Sequence, residues 1–75
     1  METLRDLREQ AGISAKEVAD KLGVTRAMIY HYESGYAKVP IDFVLTLCEL
    51  YDCTERELIL AAMYQTKRSS NEWKH

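Results

Sequence analysis

Residues 14–34 read SAKEVADKLGVTRAMIYHYES, and this stretch decides the fold. It opens on Ser14-Ala15-Lys16-Glu17, the pattern of a capping box. In that motif the serine oxygen takes the amide of the third helical residue, whose carboxylate returns to the serine amide. A helix is therefore expected to start at Ser14. Val18, Ala19 and Leu22 recur at helical spacing as its buried face, and Gly23 ends it. Val24 follows, and Thr25 is suited to cap a second helix, Arg26-Ala27-Met28-Ile29-Tyr30-His31-Tyr32-Glu33, which Gly35 stops. Ile29 and Tyr32, with Met28 in part, are expected to face inward.

Two helices joined only by Gly23-Val24-Thr25 are too close to run as a long hairpin, so the second leaves at a steep angle. The inner faces close over one core, and the outer face of the second helix projects from the domain. That face carries Arg26, Ala27, Tyr30 and His31, none of which the core needs. Such side chains suit base edges in a major groove about 12 Å wide. An arginine donates twice to guanine, an alanine packs on a thymine methyl, and tyrosine or histidine bonds to a base or a phosphate. The first residues of such a helix reach deepest.

On the N-terminal side, Leu4, Leu7 and Ala11 form a helical stripe ended by Gly12, and Ile13 is expected to enter the core. On the C-terminal side, residues 36–39 form a loop and Pro40 suits a first helical turn. Ile41, Val44, Leu45, Cys48 and Tyr51 then follow as one apolar face. Thr54-Glu55-Arg56-Glu57 repeats the capping box, opening a fifth helix to about Gln65. The expected fold is all-α, five short helices in one domain over residues 1–65, followed by a polar, frayed tail over 66–75 that holds Trp73.

The stretch LRDLREQAGISAKEVADKLGVTRAMIYHYESG, beginning at Leu4, resembles the Cro/C1-type, XRE-like helix-turn-helix family. The likeness lies in Leu-x-x-x-Arg, then Ala-x-x-Leu-Gly-Val-Thr, then Ile-x-x-x-Glu-x-Gly, in that order and spacing, and extends over roughly residues 4 to 60. The resemblance implies a compact lambda-repressor-like domain that binds double-stranded DNA, with the helix-turn-helix at about 14–34. It implies that Ala19 is the small residue where the two motif helices meet and that Arg8 and Glu33 form an ion pair. It implies that Thr25, Arg26, Ala27 and His31 face bases or the adjoining backbone, and that Lys38 touches phosphate. The family often has a phosphate-binding glutamine where this chain has Ala15. At Ser14, Ala15 and Lys16 that leaves the backbone amides of the helix start for phosphate.

The bulk numbers set bounds on this reading. The 75-residue chain is 47% hydrophobic and 29% charged, a globular composition. Its formal net charge of −2 weighs against DNA, because phosphate neutralisation supplies most non-specific affinity. The distribution softens this. Residues 1–40 carry six basic and six acidic side chains, and the excess acid lies beyond them. Cys48 and Cys53 have no metal-ligand spacing, so both are expected as free thiols in a reducing cytosol. Neither a secretory start nor a membrane-length apolar run is present. No catalytic constellation is visible: a glycine-rich phosphate loop and HExxH are both missing, and a predicted loop separates His31 from Cys48. No enzyme activity, cofactor, metal or small-molecule ligand is expected.

Residues 58–64 form a nearly continuous apolar run. Leu58, Ala61 and Ala62 can pack on the core, which leaves Leu60, Met63 and Tyr64 as a partner surface, with Trp73 added. The expectation is a homodimeric repressor on a near-palindromic operator, cytoplasmic and nucleoid-associated in a bacterium or phage. Two alternatives stay open. One is the DNA-binding antitoxin of a toxin–antitoxin pair. The other is a protein-interaction module that has lost DNA binding.

Overall fold

The computed structural model describes residues 2–73, with side chains through Tyr64. Five helices follow one another: α1 (Leu4–Ala11), α2 (Ala15–Leu22), α3 (Arg26–Ser34), α4 (Ile41–Tyr51) and α5 (Glu55–Trp73). No strand occurs among the described residues. The all-α architecture is the one expected.

Local chemistry sets the boundaries. At Ser14, Oγ accepts the Glu17 amide at 3.1 Å and Glu17 Oε1 accepts the Ser14 amide at 3.2 Å, closing the first capping box. Thr54 and Glu57 close the second, at 3.1 and 2.9 Å. A third box, Thr3 with Asp6, opens α1. It escaped the sequence reading, although Thr-x-x-Asp before an apolar stripe is the same signal. These bonds hold the Asp6 and Glu57 carboxyls below the usual carboxylate range, chiefly through the backbone amides of Thr3 and Thr54. Between α2 and α3 the chain reverses at Gly23, whose φ of 73° is left-handed backbone that a side chain would strain.

The core gathers residues from all five helices: Leu4 and Leu7, then Ala15, Val18 and Ala19, then Ile29 and Tyr32, then Val44, Leu47, Cys48 and Tyr51, then Leu58 and Ala61. Helix α5 packs on α1, α3 and α4, and α2 packs most extensively on α3.

The structure departs from expectation at four places. Ala11 is exposed, because Arg8 rather than Ala11 continues the α1 stripe inward. Ile41 and Leu45 are 77% and 61% exposed, and Leu47 is buried in their place. Helix α4 is apolar nearly all round, so its periodicity permits two stripes, and the one through Val44, Leu47, Cys48 and Tyr51 takes the core. Ala15, assigned to a phosphate site, is 3% exposed and belongs to the core. Finally, α5 continues past Gln65 to Trp73, where a polar tail was expected. No glycine or proline interrupts residues 65–73.

Both cysteines are free thiols, Cys48 buried and Cys53 half-buried. Burial raises both thiol pKa values, that of Cys53 to about 11, so neither is a ready thiolate.

Buried Tyr51 gives a pH prediction. Desolvation, and then the nearby Glu33 carboxylate, raise its hydroxyl pKa above the ordinary value of 10.0. The contribution to stability is fully present below pH 10.0 and is lost as pH rises through the folded value. The physical reason is that the unfolded chain ionises this group before the native one does. Denaturation midpoints should fall above about pH 10, and Tyr51→Phe should flatten that fall relative to the parent protein. Identical alkaline slopes for the two proteins would refute it.

Candidate nucleic-acid interface

The candidate interface is built on α3. Thr25 Oγ1 accepts the Met28 amide at 3.2 Å and fixes the start of the helix. The first turn of α3 holds no acidic residue. Its free amides and partial positive charge therefore face outward beside Arg26. Ile29 and Tyr32 anchor the inner side at 2% and 5% exposure. Helical geometry then turns Arg26, Ala27, Tyr30 and His31 outward together, and all four are exposed. Lys38, in the loop after α3, is exposed as well.

Glu33 could have spoiled this surface and does not. It is the only carboxylate between Val24 and Ile41. It points inward from α3, where Arg8 Nε donates to its Oε2 at 2.6 Å and Arg8 Nη2 to its Oε1 at 3.4 Å. Arg8 Nη1 also donates to the Ile13 carbonyl at 3.2 Å. Both side chains of the pair are largely buried, at 11% and 7% exposure. The Glu33 hydrogen bond is the main cause of the raised Arg8 pKa. This arrangement neutralises the acid, ties α1 to the last turn of α3, and leaves the outward face of α3 with Arg26 and no free carboxylate.

The start of α2 contributes less than expected. Ser14 Oγ is engaged in the cap and Ala15 is buried. Lys16 is exposed and paired with Asp20 at 3.5 Å, where both side chains are well solvated. Among the three, Lys16 is the one that offers an exposed charge to an anion.

Two features escaped the sequence reading. Tyr36, just beyond Gly35, is 81% exposed, and its ring centroid lies 4.9 Å from that of His31. An aromatic residue directly after the helix-stopping Gly35 was the available signal. The second is the exposed apolar contribution of α4. Ile41 and Leu45 of α4 are exposed, as are Ile59, Leu60, Met63 and Tyr64 of α5. An open groove of about 490 Å³ runs between the two helices, lined by Val39, Ile41, Val44, Leu58, Ile59 and Met63 among others. Leu60, Met63 and Tyr64 are exposed as expected, whereas the side chain of Trp73 lies outside the described residues. No described helix is long and apolar enough to cross a membrane.

Five helices, a glycine turn between the second and third, and a polar outer face on the third define a helix-turn-helix domain. The chain matches the helix-turn-helix family over residues 4–58 and belongs to it, in the Cro/C1-type, XRE-like branch. A protein of Pyrococcus furiosus named as an HTH-type transcriptional regulatory protein is 45% identical over 51 residues, covering 68% of this chain and 16% of that protein. A similarly named protein of Thermococcus kodakarensis is 43% identical over 51 residues, with the same coverage. The HTH-type transcriptional regulator AnsR of Bacillus subtilis is 32% identical over 59 residues, 79% of this chain and 51% of the relative. The chain thus spans about one sixth of the first two relatives and about half of the third. No solved structure gives a significant match.

Proposed function

We propose that this chain is a sequence-specific, double-stranded DNA-binding transcriptional regulator, acting as a dimeric repressor that inserts α3 into the major groove. The observation that carries this reading is the outward face of α3. Arg26, Ala27, Tyr30 and His31 project together there, Lys38 is exposed in the loop that follows, and the one carboxylate of this segment is turned inward onto Arg8. In this reading Arg26 and His31 contact base edges, Ala27 packs on a thymine methyl, and Thr25, Tyr30 and Lys38 meet the backbone. At the start of α2, exposed Lys16 supplies a phosphate contact. The HTH-type regulators among the relatives support the regulatory role.

The test begins with selection of bound sequences from a random double-stranded DNA pool. Against the selected site, Arg26→Ala and His31→Ala should each lower affinity by about 10- to 100-fold, the discrimination a good base contact gives. Lys38→Ala should weaken binding to all sequences alike and flatten the salt dependence. Unchanged binding by both α3 variants would remove α3 from the interface.

The dimer rests on the apolar face of α4 and α5. An apolar groove between the two helices, edged by the exposed Ile41, Ile59 and Met63, favours a partner surface. A two-fold axis there would set two copies of α3 about 34 Å apart, one turn of DNA, on a near-palindromic site. Light scattering should give a mass near twice 8.7 kDa at high concentration. Met63→Glu should return it to the monomer value. A monomer throughout would overturn the dimer.

A further inference from the structure

We infer that Tyr36 is a positioning residue for DNA recognition: its ring packs against the His31 imidazole and holds it in the direction needed to read a base. This rests on the reading of α3 as the recognition helix.

Folding does not account for Tyr36. At 81% exposure its ring buries little surface, yet the segment that carries it is held in place. Gly35, at φ 82°, turns the chain back over the end of α3. The Ala37 amide donates to the His31 carbonyl at 3.1 Å, and Ser34 Oγ donates to the same carbonyl at 3.2 Å. The Tyr36 amide in turn donates to Ser34 Oγ at 3.4 Å. Three bonds thus fix the backbone of Tyr36 relative to that of His31, two of them ending on the His31 carbonyl. The side chains meet with ring centroids 4.9 Å apart and planes inclined at 40°. That separation is within the range of favourable aromatic pairs.

The consequence falls on His31. An exposed histidine on a helix face samples several rotamers, and ordering it on DNA costs affinity. A ring held against one side of the imidazole removes part of that freedom before DNA arrives, leaving the other side and the ring edge open to a base. The pairing is a matter of the tyrosine ring, so phenylalanine can replace it.

The experiment is a double-mutant cycle on the full chain, with the selected DNA as probe. Tyr36→Ala should weaken binding by about 3- to 10-fold, the scale of ordering one side chain. Tyr36→Phe should restore most of that loss. In a His31→Ala background, Tyr36→Ala should add little, and its loss should centre on the base pair whose preference His31→Ala abolishes. Equal losses with and without His31, or a Phe variant as weak as the Ala variant, would overturn the proposal. The free protein offers a readout independent of DNA. The His31 ring protons should carry a ring-current shift that Tyr36→Ala removes and Tyr36→Phe keeps. Absence of that shift in the parent protein would refute the pairing itself. A normal shift with DNA binding indifferent to His31→Ala would instead bring down the recognition-helix reading, and the inference with it.

Discussion

Glu33→Ala is expected to remove a large share of the domain's stability. Arg8 is 11% exposed at its side chain, and the substitution would strand its guanidinium with only the Ile13 carbonyl for an acceptor. Arginine cannot shed its proton to escape, so the uncompensated charge stays in the interior. Removing one partner of a buried pair costs about 3–5 kcal/mol. At roughly 0.05–0.15 kcal/mol per residue, a domain of this size has only about 4–11 kcal/mol to lose. Urea denaturation followed by circular dichroism measures the change. Arg8→Ala should be comparable, because it strands the Glu33 carboxylate. Replacing both, with Arg8→Met and Glu33→Leu together, should be far milder than either alanine variant, since it leaves no charge behind. Arg5→Ala is the control: its pair with Glu9 is more than half solvated on both sides, and its loss should be within about 1 kcal/mol. A Glu33→Ala midpoint close to that of the parent protein would show that the pair is not the tie between α1 and α3 described above.

The pair also shows what a sequence can and cannot disclose. Arg8 and Glu33 stand 25 residues apart, and no periodicity joins them. Only the family resemblance did so. Local signals were legible without it. The Ser14 and Thr54 capping boxes and the stops at Gly12, Gly23 and Gly35 act within a few residues, so the sequence displays them directly. The outward set Arg26, Ala27, Tyr30 and His31 followed from the inward pair Ile29 and Tyr32, because a helix offers little choice once one face is buried. Helix α4 was read wrongly for the opposite reason. Ile41, Val44, Leu45, Leu47 and Cys48 satisfy two overlapping stripes, and only packing against α1, α2 and α5 selects between them. Ala15 was misplaced because alanine is equally at home on a helix surface and in a close helix contact, and its burial depends on what stands opposite. Tyr36 was passed over because its significance is a contact with His31 across a turn, which depends on the backbone path after Gly35.

Leu58→Ala carries the second large expected effect, and it separates the two roles of α5. Leu58 is fully buried at 0% exposure, in the first turns of a helix that packs on α1, α3 and α4. Truncating it removes apolar contacts and opens a cavity beneath three helices at once, at a cost of about 2–5 kcal/mol. The loss should be seen at every protein concentration, because it acts within one copy of the domain. DNA binding should fall in parallel, since α5 is part of the support under α3. Met63 lies on the same helix, 60% exposed and outside the core. Met63→Ala should therefore change the stability of an isolated copy by less than about 0.5 kcal/mol. If the outer face of α5 joins two copies, its effect should grow with protein concentration, because only the associated state gains from that side chain. Denaturation of both variants over a hundredfold range of concentration decides the matter. A constant, large loss for Leu58→Ala beside a concentration-dependent loss for Met63→Ala would assign the inner face of α5 to folding and the outer face to association. A Met63→Ala curve that never moves with concentration would leave α5 with the folding role alone. The proposed operator would then have to be bound one domain at a time, with α3, Lys16 at the start of α2 and the loop through Lys38 supplying the affinity.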